Sequence, residues 1–253
     1  MLRFFRRIRQ SLIENNNLRR YTLYALGEIS LVMIGILLAL GINNWNQQRL
    51  NTNASKQSLL LLKENIREDI TEIKSLKTIA DTTLSHLVSL LDQIKRTDEA
   101  DENVAKYLFQ SVLEHTFQSN KRTFEAMNND GTIAYVKENL LNDILDYYNL
   151  LDEISERESI SNLYIKNLTE PYIIENYSHL VRYYSGLDAL ETIYEIDNRE
   201  LPKLNTEEIL NDSKIEILMV ARYNQTKQTG DYYEQAIQQA TQLISSIKKA
   251  ASE

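Results

Sequence analysis

Leu59-Leu60-Leu61-Leu62-Lys63-Glu64-Asn65-Ile66-Arg67-Glu68-Asp69-Ile70-Thr71-Glu72-Ile73 opens the stretch that decides the fold, and its pattern continues to Ile94. Leu59, Ile66, Ile73, Ala80, Leu87 and Ile94 recur every seven residues, and all are apolar. Leu62, Leu76 and Leu90 line one flank of that row; Ile70, Leu84 and Leu91 line the other. Spacings of three, four and seven put all of them on one side of a helix. The flanks break at Asp69 and Thr83, so the stripe is wider than a two-stranded coiled-coil seam. It predicts a helix of about 54 Å packed within its own bundle rather than a free dimeric coiled coil.

Working outward, the composition supports more of the same. Residues 50–253 contain three glycines (Gly131, Gly186, Gly230) and two prolines (Pro171, Pro202), with Leu, Ile, Lys, Glu and Gln abundant. Few breakers and many helix formers favour long helices and very little sheet. After an acidic break at residues 97–102, Val104, Leu108, Val112 and Phe117 mark a shorter helix. Asn128-Asn129-Asp130-Gly131 is a turn signal, since Asn and Gly tolerate positive φ. Val136, Leu140, Ile144, Tyr148, Leu151 and Ile154 then mark a long helix running toward Leu168. Thr169-Glu170-Pro171 reads as a new helix start, and residues 198–205 around Pro202 as a connector. Ser213-Lys214-Ile215-Glu216 has the form of a capping box opening the last helix, which Gly230-Asp231 would kink or interrupt. The fold class expected is all-α: an N-terminal transmembrane helix, then an extracytoplasmic antiparallel bundle of long helices.

The transmembrane assignment rests on residues 22–42, which from Leu23 onward carry a single ionisable group, Glu28. About 20 residues at 1.5 Å rise cross a hydrocarbon core of roughly 30 Å. Arg3, Arg6, Arg7, Arg9, Arg19 and Arg20 precede the span, whereas Arg49 and Lys56 are the basic residues in the twenty that follow. Basic flanks stay in the cytoplasm, so residues 1–21 are expected there and the bulk of the chain across a bacterial inner membrane, in the periplasm. Tyr21 and Tyr24 at one end and Trp45 at the other suit the two headgroup levels. A cleaved signal peptide is the rival reading, with small residues at Ala39 and Gly41. The long basic leader and the length of the apolar run favour an uncleaved anchor.

Residues 1–21 place Phe5, Ile8 and Leu12 on one face among arginines. They either form a basic amphipathic helix on anionic lipid or supply topogenic charge alone. Membrane lipids are thus the expected partner of residues 1–42. Glu28 lies near the cytoplasmic boundary, where packing or partner contact is a better reading than ion transport. Gly35 and Ala39, four apart, offer a small-residue face for close helix approach. Residues 43–58, with Asn43, Asn44, Asn46, Asn51 and Asn53, are expected as a juxtamembrane linker, because Asn is a poor helix former. The helical domain is then residues 59–253.

Residues 50–253 carry 21 basic and 34 acidic side chains, which argues against nucleic-acid binding. No cysteine is present, so neither a disulfide framework nor thiol lipidation is available. His86, His115 and His179 are far apart, and Glu175 with His179 at i,i+4 lacks a third ligand at a recognisable spacing. No phosphate-binding glycine loop and no nucleophile elbow occurs. Asp152-Glu153 and Glu207-Glu208 look like solvated helix faces. No catalytic, metal or cofactor residue is assigned, and an enzyme is not expected. Tyrosine is over-represented, with 15 in the chain. Each of the pairs Tyr147-Tyr148, Tyr183-Tyr184 and Tyr232-Tyr233 puts one ring toward a core and the other at its rim. If the aromatics form a cleft for a ligand or partner, Tyr172, Tyr177, Arg182, Tyr183 and Tyr184 are its residues.

Phe4-Phe5-Arg6-Arg7-Ile8-Arg9, Tyr24-Ala25-Leu26-Gly27-Glu28-Ile29, Gly35-Ile36-Leu37-Leu38-Ala39-Leu40 and Asn43-Asn44-Trp45-Asn46 together resemble a family of uncharacterised single-pass inner-membrane proteins of Bacteroidota. The resemblance continues through Thr123-Phe124-Glu125-Ala126-Met127, Gly131 and Tyr147-Tyr148-Asn149. Gly41 stands where that family often has a polar residue, which bears on the cleavage alternative. The resemblance implies an inner-membrane anchor with a periplasmic helical domain, and no activity. Two functions remain in view: a non-enzymatic interaction or scaffold module serving an envelope protein or self-association, and a ligand-binding sensor bundle signalling through a partner.

Overall fold

The computed structural model describes residues 18–96, 103–177 and 206–252. Among them every regular element is helical: α1 (Leu18–Arg96), α2 (Val104–Ser111), α3 (Arg122–Asp130), a 3-10 turn (Thr132–Tyr135), α4 (Glu138–Tyr164), a π-helical turn (Ile165–Thr169), α5 (Glu170–Asn176), α6 (Thr206–Leu210) and α7 (Ser213–Ser252). The all-α expectation holds. The chain divides into two compact units, residues 1–55 and 56–253.

In the first unit, the large apolar side chains from Leu23 to Ile42 are 53–73% exposed. This is one helix long and apolar enough to cross a membrane. Residues 43–58, expected as a linker, are helical. Propensity is a weak prior, and local bonds outweigh it: Gln47 donates to Asn51 Oδ1 (3.0 Å), Arg49 to Asn46 Oδ1 (3.4 Å) and Thr52 to Gln48 O (2.8 Å).

In the second unit, the seven-residue row is the inner face of α1. Leu59, Ile66, Ile73, Ala80 and Leu87 are buried, and Ile94 is partly so. Leu59 to Ala80 share one apolar cluster with Met127 (α3), Leu140 to Ile154 (α4) and Tyr233 to Ile247 (α7). Leu87 and Leu90 share a second with Val104, Ala105 and Leu108 (α2), Ile173 (α5), Ile209 and Leu210 (α6) and Ile215 to Met219 (α7). Along α1 the order is first cluster, then second; along α7 it is reversed. Pairings such as Arg157–Gln228 and Ser161–Gln225 set α7 antiparallel to α4, whereas α4 runs in the same direction as α1. The chain between them returns through α2, the non-helical residues 113–121 and α3.

Several boundaries differ from expectation. The short helix stops at Ser111, and Phe117 is buried in non-helical chain. The long helix begins at Glu138 rather than Val136. Gly131 does end α3, at φ 77°, in the left-handed region that disfavours a side chain. Thr169-Glu170-Pro171 is a continuation, not a fresh start: Glu170 N–H bonds to Ile165 O, five residues back. A proline ring collides with the carbonyl four residues earlier in a regular helix, and the wider turn gives Pro171 room. The cap of α7 is Asp212 rather than Ser213, its Oδ1 accepting from Lys214 N (2.8 Å) and Ile215 N (3.4 Å). The acidic break and the Pro202 connector lie outside the described residues.

Gly230 does not interrupt α7. It is buried, and a Cβ built there would meet Ala80 Cβ at 3.9 Å, an ordinary contact. Gly230→Ala should therefore stabilise the helix by about 1 kcal/mol. Circular-dichroism melting should show a rise of roughly 2–4 °C; Gly230→Leu, which must displace Ala80, should lower the transition instead.

Candidate functional site

Between the two apolar clusters lies a polar layer built from three helices. Thr83 of α1, Glu158 and Ser161 of α4, and Arg222 and Thr226 of α7 are all at most 6% exposed. Their positions follow from helical phase. Arg222 and Thr226 continue the buried spacing Ile215, Leu218, Met219, and Glu158 lies one turn beyond Ile154 and seven residues after Leu151. Sequence reasoning passed over both charged residues; a charge at a position whose helical phase is otherwise apolar was the available signal.

Arg222 Nε donates to Ser111 O (2.8 Å), Nη1 to Ser161 Oγ, and Nη2 to Leu113 O (3.2 Å). Among the described residues it forms no ion pair with a carboxylate. Burial brings its pKa down to about 10. Glu158 Oε2 accepts from Phe117 N (2.7 Å) and Oε1 from Tyr233 Oη. Burial pushes this carboxyl up, against the opposing pull of those two hydrogen bonds. A cavity of about 30 Å³ is lined by both charged residues, with His115, Asn162 and Thr226. Burial, then the Arg222 charge, holds His115 below the usual imidazole value.

Two further carboxylates act as knots between elements. Asp69, a break in the apolar flank, is buried and accepts from Asn120 N (2.8 Å) and Tyr147 Oη (3.2 Å). Both rings of the Tyr147-Tyr148 pair are buried, contrary to the expectation of one at the rim; Tyr148 stacks on Phe124 at 4.5 Å. Tyr232-Tyr233 does divide as expected: Tyr233 is buried, and Tyr232 is partly exposed with Arg157 4.4 Å above its ring. Asp212 Oδ2 accepts from both Tyr172 Oη and Tyr177 Oη at 2.7 Å. Burial pushes the Asp212 carboxyl up, but its four hydrogen bonds prevail and hold it below the usual value.

Of the residues expected to form a cleft, Tyr172 and Tyr177 thus come together on Asp212, tying α5 to the start of α7. Arg182, Tyr183, Tyr184 and His179 lie outside the described residues. Of the anchor residues, Tyr21, Tyr24, Glu28, Gly35, Ala39 and Trp45 all lie in α1, as do Arg19 and Arg20; Arg49 sits 5.6 Å over the Trp45 ring. Arg3, Arg6, Arg7 and Arg9 are outside the described residues. His86 stacks on Tyr107 at 5.1 Å. Among the described residues no group of three or more His, Asp or Glu is placed to hold a metal ion.

No curated protein and no solved structure matches the chain. A family model does match, over residues 28–227, which takes in Glu28, Trp45, Asp69, Glu158 and Arg222. The chain belongs to the family of unknown function DUF6090.

Proposed function

We propose that this protein is a membrane-anchored, non-enzymatic interaction module, with residues 22–42 in the bacterial inner membrane, the N-terminus in the cytoplasm and the helical unit in the periplasm. The observation that carries the reading is the exposure of the Leu, Ile, Val and Met side chains from Leu23 to Ile42. An apolar surface of that extent needs lipid or a partner helix to cover it. The six arginines before the span supply the orientation. The interaction role is supported by how the helical unit uses its carboxylates: buried Asp69 and Glu158 and partly buried Asp212 each join separate elements. Such a unit presents a defined outer surface, to an envelope protein or to a second copy. Mild-detergent affinity purification should recover one defined envelope protein or a homo-oligomer; repeated recovery of the monomer alone would remove the interaction reading.

The orientation has its own test, made simple by the absence of native cysteine. In intact spheroplasts a membrane-impermeant thiol reagent should label Ser252→Cys and spare Ser11→Cys. The opposite pattern would overturn the localisation. A ligand-sensing role, with the signal passed through a partner touching residues 1–42, has one observation in its favour: the cavity beside Arg222.

A further inference from the structure

A guanidinium carries five N–H donors. Arg222 places three of them on Ser111 O, Ser161 Oγ and Leu113 O, leaving one on each terminal nitrogen without an acceptor among the described residues. The side chain is 6% exposed and has no ion pair there, so a buried positive charge lacks a direct counter-charge. Thr226, 5% exposed, lines the same cavity, and its Oγ1 has no hydrogen-bond partner. Glu158 also faces the cavity, but its two oxygens are taken by Phe117 N–H and Tyr233 Oη. Spare cationic donors and an orphaned hydroxyl around one small space are what an anion requires.

We propose that the cavity between Arg222 and Thr226 is a binding site for a small monovalent anion, of chloride or formate size. A volume of about 30 Å³ has room for roughly two water-sized atoms, at about 10–15 Å³ each, which suits a halide or formate better than phosphate or a sugar acid. The charged and titratable groups lining it are Glu158 from α4, Arg222 and Tyr233 from α7 and His115 from residues 113–121, while Glu72 of α1, outside the lining, acts on Glu158 through its charge. A bound anion is repelled by ionised Glu158 and favoured once Glu158 carries a proton. Occupancy therefore rises as pH falls, and protonation of His115 acts in the same direction. The site couples anion capture to proton uptake.

The test uses the full chain in detergent at constant ionic strength, comparing sodium chloride, sodium formate and sodium gluconate, whose anion is several times larger than the space beside Arg222. The expected result is a saturable rise in Tm with chloride or formate over gluconate, larger at pH 5.5 than at pH 7.5. A chloride-only response identifies a halide site, and a response to formate a carboxylate site. Thr226→Val removes a hydroxyl that has no partner, so folding is retained, and it should raise the half-saturating concentration at least tenfold. Glu158→Gln should abolish most of the pH dependence. Equal Tm in the three salts, or the same salt response in Thr226→Val as in the wild type, would overturn the site and leave the cavity to water.

Discussion

Ile73→Asp is expected to abolish cooperative unfolding of the helical unit. Ile73 is fully buried at the middle of the α1 row, among residues of α3, α4 and α7. A carboxylate there loses its hydration inside an apolar cluster and removes an apolar side chain from it, at a cost of several kcal/mol. Typical total stability is about 5–15 kcal/mol. Thermal melting followed by circular dichroism should lose its sigmoidal transition, while Lys74→Ala, one residue along on the exposed face, should melt within a degree or two of wild type. Equal behaviour of the two variants would make residues 59–94 a stalk rather than part of a bundle.

The second large effect is expected at Glu158. Glu158→Ala leaves the buried Phe117 N–H and Tyr233 Oη without acceptors, at about 1–3 kcal/mol each, and enlarges the cavity beside Arg222. The loss should be about 3–5 kcal/mol by chemical denaturation, against a smaller loss for Glu158→Gln, which can still bond both groups. The glutamine variant also exposes a pH effect of defined sign. Burial raises the Glu158 pKa above the ordinary 4.5, so between 4.5 and the raised value the folded state holds more protons than the unfolded one. Stability from this group is then lost as pH rises through that window. The Tm of Glu158→Gln relative to wild type should therefore climb from pH 4.5 toward neutral pH. A pH-independent difference would mean that Glu158 has its ordinary affinity for protons.

The apolar row of α1 and the stop at Gly131 were legible because each is a local rule: a seven-residue period, and a φ that glycine tolerates. The polar layer was not, because its residues are explained by distant partners. Asp69 and Thr83 look like defects in an apolar flank until Asn120 and Tyr147, 51 and 78 positions away, are brought to Asp69. Arg222 finds its acceptors 61 to 111 positions away. Tyr147 and Tyr148 are both buried because Asp69 and Phe124 meet them from two different elements. The Asn-rich residues 43–58 misled in the other direction, since side-chain bonds along the helix offset a modest propensity. Asp212 outranks Ser213 as the cap because its second oxygen holds two tyrosines, which a local motif does not reveal.

Both apolar clusters depend on α7, the last of the described helices: Ile215 and Met219 complete one, and Ala236, Ala240 and Ile247 the other. During vectorial synthesis, the apolar stripe of α1 emerges long before the helix that covers it. At about 5–20 residues per second, ribosomes need about 10–40 seconds to travel from that stripe to the end of α7. Throughout that interval the nascent chain is a client for holdase chaperones and proteases. How long the stripe stays uncovered is therefore set by how quickly α7 is delivered, and not by how stable the finished bundle becomes.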